Sequence, residues 1–338
     1  MGQIQVLVVD DSLLMQRVIT DLLQSDKQLS VIGTARDGEE AMLKIANLRP
    51  DVVTMDIEMP KMNGLTAVRR IMETNPTPVI MVSSLTQREA MLTLKALEFG
   101  AVDYVPKPSG QISLNMDSVR DELISKVKTA VFANVSLPKA STFEDFHVPV
   151  KTKEKIISIA ASTGGPPAVT KVLTSLPADI PPILIVQHMP KGVTKLFAQG
   201  LNNTCKFTVK EAEEGDRVQD RLALIAPGGF HMVVTKEKRV HLTTDAPVNF
   251  VRPAADVLMF SLAEHYGGRN VGVVLTGMGA DGAKGIASIK GRGGTTIAQD
   301  QKTSVVYGMP YMALQTGCVD KVASIDEIPK EILKACAN

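Results

Sequence analysis

Residues 157–173 read ISIAASTGGPPAVTKVL: an apolar run stops at a small, glycine-containing turn, and a helical pattern takes over. Strand, tight turn and helix in that order form the repeating unit of a parallel α/β sheet. Ser162 stands at the turn, and three readings of it compete. A helix cap asks for Ser or Thr just ahead of the helix, with proline near its start, and STGGPP satisfies that. A phosphate loop would need a Gly-Lys-Ser/Thr ending and a dinucleotide loop G-x-G-x-x-G, and neither is present. A nucleophile elbow asks for small residues on both sides of a serine between strand and helix; IAASTGG fits, with Ala160 where glycine is usual. On the turn alone, cap and nucleophile are evenly matched.

A nucleophile needs a base. His147 falls in a polar segment, His241 in a hairpin pattern and His265 on a helical one, whereas His188 ends the run PPILIVQH and His231 follows APGG. A strand that ends in histidine delivers the ring to the same sheet edge as Ser162, so His188 is the expected base and His231 the runner-up. The base in turn needs a carboxylate to fix its tautomer and steady the imidazolium. Asp281, in the glycine-rich turn after NVGVVLTG (270–277), has the fitting place, ahead of Asp256 and Asp300. The order Ser…His…Asp differs from the Ser…Asp…His order of α/β-hydrolases and argues against that fold.

The alternation continues on both sides of this stretch. KIISIAA, PPILIVQH, RLALIAP, the pair HMVVTK and RVHLTT, NVGVVLTG, GTTIAQ and CVDKVA are strand candidates, with helical stretches near 167–175, 253–266 and 280–290. They predict a doubly wound α/β domain over 155–338 with a mostly parallel sheet and an inserted β-hairpin. Residues 134–154, NVSLPKASTFEDFHVPVKTKE, are polar, hold two prolines and read as a linker.

Ahead of the linker, 1–133 alternates in the same way: IQVLVVD, SVIGTA, DVVTMD, PVIMVSS and VDYVPKP, with Leu14, Val18 and Leu22 at helical spacing after the first run. Asp10 and Asp11 end the first strand, Asp56 the third, Ser83 the fourth and Lys107 the fifth. A parallel doubly wound sheet collects these ends on one edge, around the crevice where strand order reverses. Three carboxylates that close repel one another, and a hard divalent cation such as Mg²⁺ relieves the repulsion. One carboxylate can then attack a phosphoryl group while Lys107 offsets the developing charge. Solvated loop acids explain any one of these residues but not all five in this order.

Composition excludes other classes. Thirty-seven Lys and Arg against 36 Asp and Glu give a net charge of +1, and no segment reads as a basic helix-turn-helix, so nucleic acid is not an expected partner. Cys205, Cys318 and Cys336 have no zinc-ligand spacing and fit a reducing compartment. No apolar run reaches a membrane span and the N-terminus lacks signal-peptide features, so a cytoplasmic protein without membrane insertion is expected.

The first half resembles bacterial response-regulator receiver domains, on VVDDS, MDIEMPKMNG, MVSS and DYVPKP. That resemblance implies a flavodoxin-like five-stranded fold with Asp56 as phosphoacceptor. Asp11, Asp56 and the backbone carbonyl of Glu58 would hold Mg²⁺ with help from Asp10. Ser83 and Tyr104 would form the switch pair with Lys107, and the Lys107–Pro108 bond would be cis. The second half resembles the catalytic domain of chemotaxis response-regulator protein-glutamate methylesterases (the CheB family), on ASTGGP, QHMP, APGGFHM, LTGMGADG and TIAQD…SVVYGMP. This implies Ser162 as nucleophile, His188 as base and acid, Asp281 as its orienter, and an oxyanion hole of the Thr163 and Met278 backbone N–H groups. It implies glutamate methyl esters of methyl-accepting chemoreceptors as substrate, receptor glutamine deamidation as a second family activity, no cofactor for the esterase reaction, and a chemotaxis histidine kinase as phosphodonor. In such a protein the unphosphorylated receiver would cover the serine edge. A phospho-switch whose second half only binds a partner, or a generic serine esterase, are the rival readings.

Overall fold

The computed structural model describes residues 2–84, 86–107, 116–135 and 154–337. Pro108, His147 and nearly all of the expected linker lie outside the described residues. The chain forms two compact units, Met1–Ala140 and Ser141–Asn338.

In the first unit β1 (Ile4–Val9), α1 (Leu13–Gln24), β2 (Leu29–Ala35), α2 (Gly38–Leu48), β3 (Val52–Asp56), α3 (Gly64–Thr74), β4 (Val79–Ser83), α4 (Gln87–Glu98), β5 (Asp103–Pro106) and α5 (Met116–Ala130) alternate strictly. The sheet order is β2-β1-β3-β4-β5 and every pairing is parallel, the flavodoxin-like arrangement expected. Covered on both faces, β3 is buried at every position, and Val52, Val53 and Met55 are fully inaccessible. Each such side chain contributes roughly 1.5–3 kcal/mol. Helix starts follow side-chain capping: Ser12, Asp37, Asn63 and Thr86 each accept a backbone N–H of the first turn. On α1 the buried stripe is Gln16, Ile19 and Leu23, not Leu14, Val18 and Leu22, and Leu14 is 72% exposed. The rotation has a polar cause. Gln16 Nε2 donates to the carbonyls of Asp10 (2.7 Å) and Ala35 (3.0 Å), locking the helix onto the ends of β1 and β2.

The second unit holds β6 (Ile156–Ala161), α6 (Gly165–Thr174), β7 (Ile183–Gln187), α7 (Val193–Asn202), β8 (Thr208–Glu211), β9 (Leu222–Ile225), β10 (His231–Val234), β11 (Val240–Thr243), α8 (Ala255–Tyr266), β12 (Asn270–Val274), α9 (Ala283–Gly291), β13 (Thr295–Gln299), α10 (Met309–Gln315), β14 (Lys321–Ala323) and α11 (Ile328–Ala337). Its seven strands run β14-β13-β12-β6-β7-β9-β8, each pairing parallel. The expected hairpin is present, but β10 and β11 pair only with each other and form a separate antiparallel sheet. Met232, Val234 and Val240 of that hairpin join Leu258, Met259 and Leu262 of α8 in one core with Leu184, Leu224 and Val274 of the large sheet. β6 lies between β12 and β7, so the carboxyl ends of these three strands open onto one edge. The cysteines are free thiols. Among the described residues no helix is long and apolar enough to cross a membrane.

Candidate functional sites: a phosphoryl pocket and a serine-histidine-aspartate edge

In the first unit the sheet edge gathers the predicted acids. Ligand oxygens of Asp10, Asp11 and Asp56 lie within 4.8 Å of one another. The Lys107 ammonium bridges two of them, at 2.9 Å from Asp10 Oδ2 and 2.8 Å from Asp56 Oδ1. Asp56 Oδ1 also accepts the Ile57 N–H at 2.7 Å. Both contacts fall on Oδ1, so among the described residues Oδ2 has no hydrogen-bond partner. Burial pushes the Asp56 carboxyl up to about 6, against the pull of Lys107, with the Asp10 charge adding to the rise. One ammonium does not neutralise three carboxylates, and the residual negative charge on an all-oxygen donor set fits Mg²⁺. The loop after Asp56 is folded tightly under it: a Cβ on Gly64 would stand 1.9 Å from the Asp56 carbonyl oxygen, so only glycine allows this approach.

The other predicted receiver residues are placed less uniformly. The Glu58 side chain is exposed and pairs with Arg88 at 3.4 Å, leaving only its backbone carbonyl as a candidate ligand. Ser83 is fully buried and its hydroxyl donates to Glu89 Oε2 at 3.3 Å, sharing that carboxylate with Ser84. Tyr104 is 3% exposed with its ring beneath Lys126 Nζ, 5.2 Å from the centroid. Its buried hydroxyl has no hydrogen-bond partner among the described residues, a cost of about 1–3 kcal/mol. Mg²⁺ at ten times its dissociation constant is expected to stabilise this unit by about 1.4 kcal/mol, and Asp11→Asn to remove most of that shift; calorimetry with and without the ion reads both.

In the second unit Ser162 follows β6, His188 follows β7, and Asp281 lies in the loop after β12. Ser162 is half-buried. Its N–H donates to the Thr276 carbonyl at 3.0 Å, and its own carbonyl accepts from Gly165 N–H (2.7 Å) and Gln187 Nε2 (3.0 Å). The left-handed residue of the turn is Gly164, at φ 71°, and Ser162 is not among the residues with positive φ. The backbone strain of an α/β-hydrolase elbow is therefore absent from the serine itself. Nor does Ser162 cap the helix, because α6 starts at Gly165 with Gly164 as its N-cap.

His188 Nε2 meets Asp281 Oδ2 at 2.8 Å, with Asp281 2% exposed. Nε2–H is the donor in that bond, which leaves Nδ1 as the basic nitrogen. Among the described residues no hydrogen bond joins the ring to the Ser162 hydroxyl, a looseness common before substrate enters. Asp281 Oδ2 also accepts Ala255 N–H (2.6 Å), and Oδ1 accepts Asp256 N–H and Asn249 Nδ2, each at 3.1 Å. Burial alone would raise the Asp281 carboxyl. The His188 hydrogen bond and charge and the two backbone N–H groups at the start of α8 outweigh it and hold the group below the usual aspartate range. Asp256 moves the other way, raised by burial and by the Asp281 charge.

The predicted oxyanion pair flanks the serine. Thr163 is buried and its carbonyl accepts the Thr276 hydroxyl at 2.9 Å. Met278 follows Gly277, where a Cβ would come within 2.8 Å of Ser162 Cβ. His231, the runner-up base, is 1% exposed and serves the backbone: Nδ1 accepts Ala254 N–H and Nε2 donates to the Ala246 carbonyl, both at 3.1 Å. Asp256 is engaged with Gly285 N–H at 2.7 Å. Asn249, Gln187 and Thr276 carry the supporting hydrogen bonds; in the sequence only the last two are marked, as polar residues that end apolar strands.

Fold and strand-edge chemistry together define a response regulator with an enzymatic α/β output unit. The comparisons agree. Residues 157–332 match the CheB methylesterase model and residues 6–116 the response regulator receiver domain model. A Pyrococcus horikoshii protein named protein-glutamate methylesterase/protein-glutamine glutaminase is 48% identical over 344 residues, covering 98% of this chain and 94% of its own. A Halalkalibacterium halodurans protein of the same name is 45% identical, with 99% of each chain covered. The crystal structure of the Thermotoga maritima CheB methylesterase catalytic domain aligns with a TM-score of 0.52 at 41% identity, covering 54% of this chain and 98% of that one. The chain belongs to the CheB methylesterase family, with a receiver domain ahead of the methylesterase domain.

Proposed function

We propose that this is a phosphorylation-activated protein-glutamate methylesterase acting on glutamate methyl esters of methyl-accepting chemoreceptors, with glutamine deamidation at the same site. The observation that carries the reading is the buried His188–Asp281 pair at 2.8 Å on the edge that also presents Ser162. Ser162 Oγ attacks the ester carbonyl as its proton passes to His188 Nδ1, and Asp281 steadies the imidazolium. Thr163 and Met278 N–H groups serve the oxyanion. The imidazolium returns the proton to the leaving methoxide, giving methanol. Water then attacks the glutamyl-serine ester, with His188 again as base, and frees the carboxylate. An amide passes through the same tetrahedral geometry and would release ammonia instead.

In this reading residues 1–133 are the receiver, 134–154 the linker and 155–338 the catalytic domain of a cytoplasmic protein. Asp56 is the phosphoacceptor and a chemotaxis histidine kinase the phosphodonor. When bound at Asp10, Asp11, Asp56 and the Glu58 carbonyl, Mg²⁺ would supply charge neutralisation for phosphoryl transfer, and the esterase reaction needs no cofactor. Lys107 holds the Asp56 carboxylate, and Ser83 and Tyr104 rearrange on phosphorylation. Activation follows if the phosphorylated receiver favours a catalytically open population.

The test is methanol release from methylated chemoreceptor membranes, with and without Mg²⁺ and acetyl phosphate. We expect a rise of about tenfold or more with the phosphodonor, and Asp56→Asn should remove it. Release that never rises would keep the esterase and sink the activation. No release, with Asp56 still phosphorylated, would leave a phospho-regulated binding protein.

A further inference from the structure

We infer that Asn249 is a positioning residue that holds the Asp281 carboxylate, and through it the His188 ring, in register for proton transfer. The inference rests on the serine hydrolase reading of this edge. Asn249 Nδ2 lies 3.0 Å from Asp256 Oδ2 and 3.1 Å from Asp281 Oδ1. Both partners are carboxylates and only accept, so the amide must turn its nitrogen to them and give one hydrogen to each. Asp256 and Asp281 are 1% and 2% exposed, and two buried anions side by side repel. The bridging amide offsets that repulsion and completes the Oδ1 side of Asp281, whose Oδ2 side is filled by His188 and Ala255.

The segment that carries Asn249 is built to aim it. Val248 and Val251 exchange both backbone hydrogen bonds, at 3.2 and 3.0 Å, around a tight turn in which Asn249 has φ 53° and Phe250 φ 65°. Asparagine is one of few side chains at ease in that left-handed region, and here it must also donate twice. The two legs of the turn are pinned by His231, which takes Ala254 N–H on one ring nitrogen and reaches the Ala246 carbonyl with the other. Arg252 Nη1 adds bonds to the carbonyls of Thr244 and Asp245. Among the described residues, the titratable groups in contact with Asp281 are His188 from the end of β7 and Asp256 from α8. Without the amide, Oδ1 keeps only the Asp256 N–H, and the carboxylate plane is no longer fixed against the ring.

Two variants of the full chain separate this role from backbone strain. Asn249→Gly keeps the left-handed turn and deletes the amide; Asn249→Asp keeps the shape and replaces a donor with a third carboxylate. For Asn249→Gly we expect kcat to fall about 10- to 100-fold with KM within about twofold, the size seen when a group behind a functional ligand is lost. The acid limb of kcat/KM, which reports His188, should move up, because a carboxylate stripped of a donor binds the imidazolium proton more tightly. For Asn249→Asp the fall in kcat should be larger, because a third carboxylate stands where Asp281 and Asp256 need a donor. The downfield proton resonance of His188 Nε2–H should broaden or shift in both variants, recorded below their melting temperatures. A wild-type kcat, pH limb and resonance in Asn249→Gly would overturn the inference, whatever its stability, and so would a loss confined to KM. If the wild-type chain releases no methanol at all, the esterase reading fails by itself, and the resonance still decides whether Asn249 holds Asp281.

Discussion

Ser162→Ala is expected to lower methanol release from methylated receptors by about 10⁴- to 10⁶-fold, leaving phosphorylation of Asp56 intact. The size follows from what the variant keeps. His188, Asp281 and the N–H groups of Thr163 and Met278 remain, but without an oxygen nucleophile no glutamyl-enzyme forms, and water must attack directly. The structural cost should be small. The Ser162 hydroxyl holds nothing in place among the described residues; its backbone, bonded to Thr276, Gly165 and Gln187, fixes the turn. A change in unfolding free energy within about 1 kcal/mol is therefore expected. Steady-state methanol assays and calorimetry on the same preparation check both halves. Wild-type activity in the variant would remove Ser162 from the mechanism and return the turn to a purely structural part.

How far this site was visible before folding depends on where its signals sit. Asp10, Asp56 and Lys107, and likewise Ser162 and His188, each close an apolar run, and a parallel sheet has to bring such endings to one edge. Asp281 was marked by the glycines around it. Helix starts differ in how readily the sequence shows them. In the first unit Ser12, Asp37, Asn63 and Thr86 announce their helices by capping. In the second unit α6, α7, α9 and α10 start from Gly164, Gly192, Gly282 and Gly308, with no side-chain cap bond. A glycine start gives no capping signal, and α7 and α10, like α11, fall outside the expected helical stretches, although α6 and α9 overlap the stretches 167–175 and 280–290 despite the same kind of start; Ser162 does not form the cap that its turn suggests. Strand β8, four residues with Val209 alone buried, offers too little pattern to detect. Asn249 escaped for a different reason: its importance lies in a left-handed turn and two partners remote in sequence, and DAPVNFV carries neither.

The second large effect is expected for Asp281→Asn, with kcat reduced by about 10⁴-fold, the loss that follows when the imidazole is left in the wrong tautomer. The carboxylate receives four donors: His188 Nε2–H and Ala255 N–H on one oxygen, Asp256 N–H and Asn249 Nδ2 on the other. An asparagine has one oxygen for these four. If its NH₂ takes the Oδ2 place, it faces the His188 and Ala255 donors; Nε2 must then accept, Nδ1 carries the proton, and the base toward Ser162 is gone. If the NH₂ takes the Oδ1 place, it confronts the Asp256 and Asn249 donors and disturbs the start of α8. Either choice leaves buried donors unpaired, at roughly 1–3 kcal/mol each. So the variant should also melt lower than Ser162→Ala. The loss has a definite pH dependence. Asp281 is held below its ordinary value of 3.8, so between that value and its folded pKa the unfolded chain binds more protons, and stability rises with pH. The carboxylate's contribution is complete at neutral pH and fades as pH falls through the window below 3.8. Asp256, raised first by burial, contributes with the opposite sign; taking wild type minus Asp281→Asn at each pH cancels the burial part, while the part due to the Asp281 charge is lost with that charge in the variant. The melting difference should therefore be widest near neutrality and narrow in strong acid; a difference independent of pH would mean that folding leaves the carboxyl's pKa unchanged, and one that shrinks toward neutrality would mean that it stays protonated in the folded protein, and in either case His188 is oriented by something other than its charge.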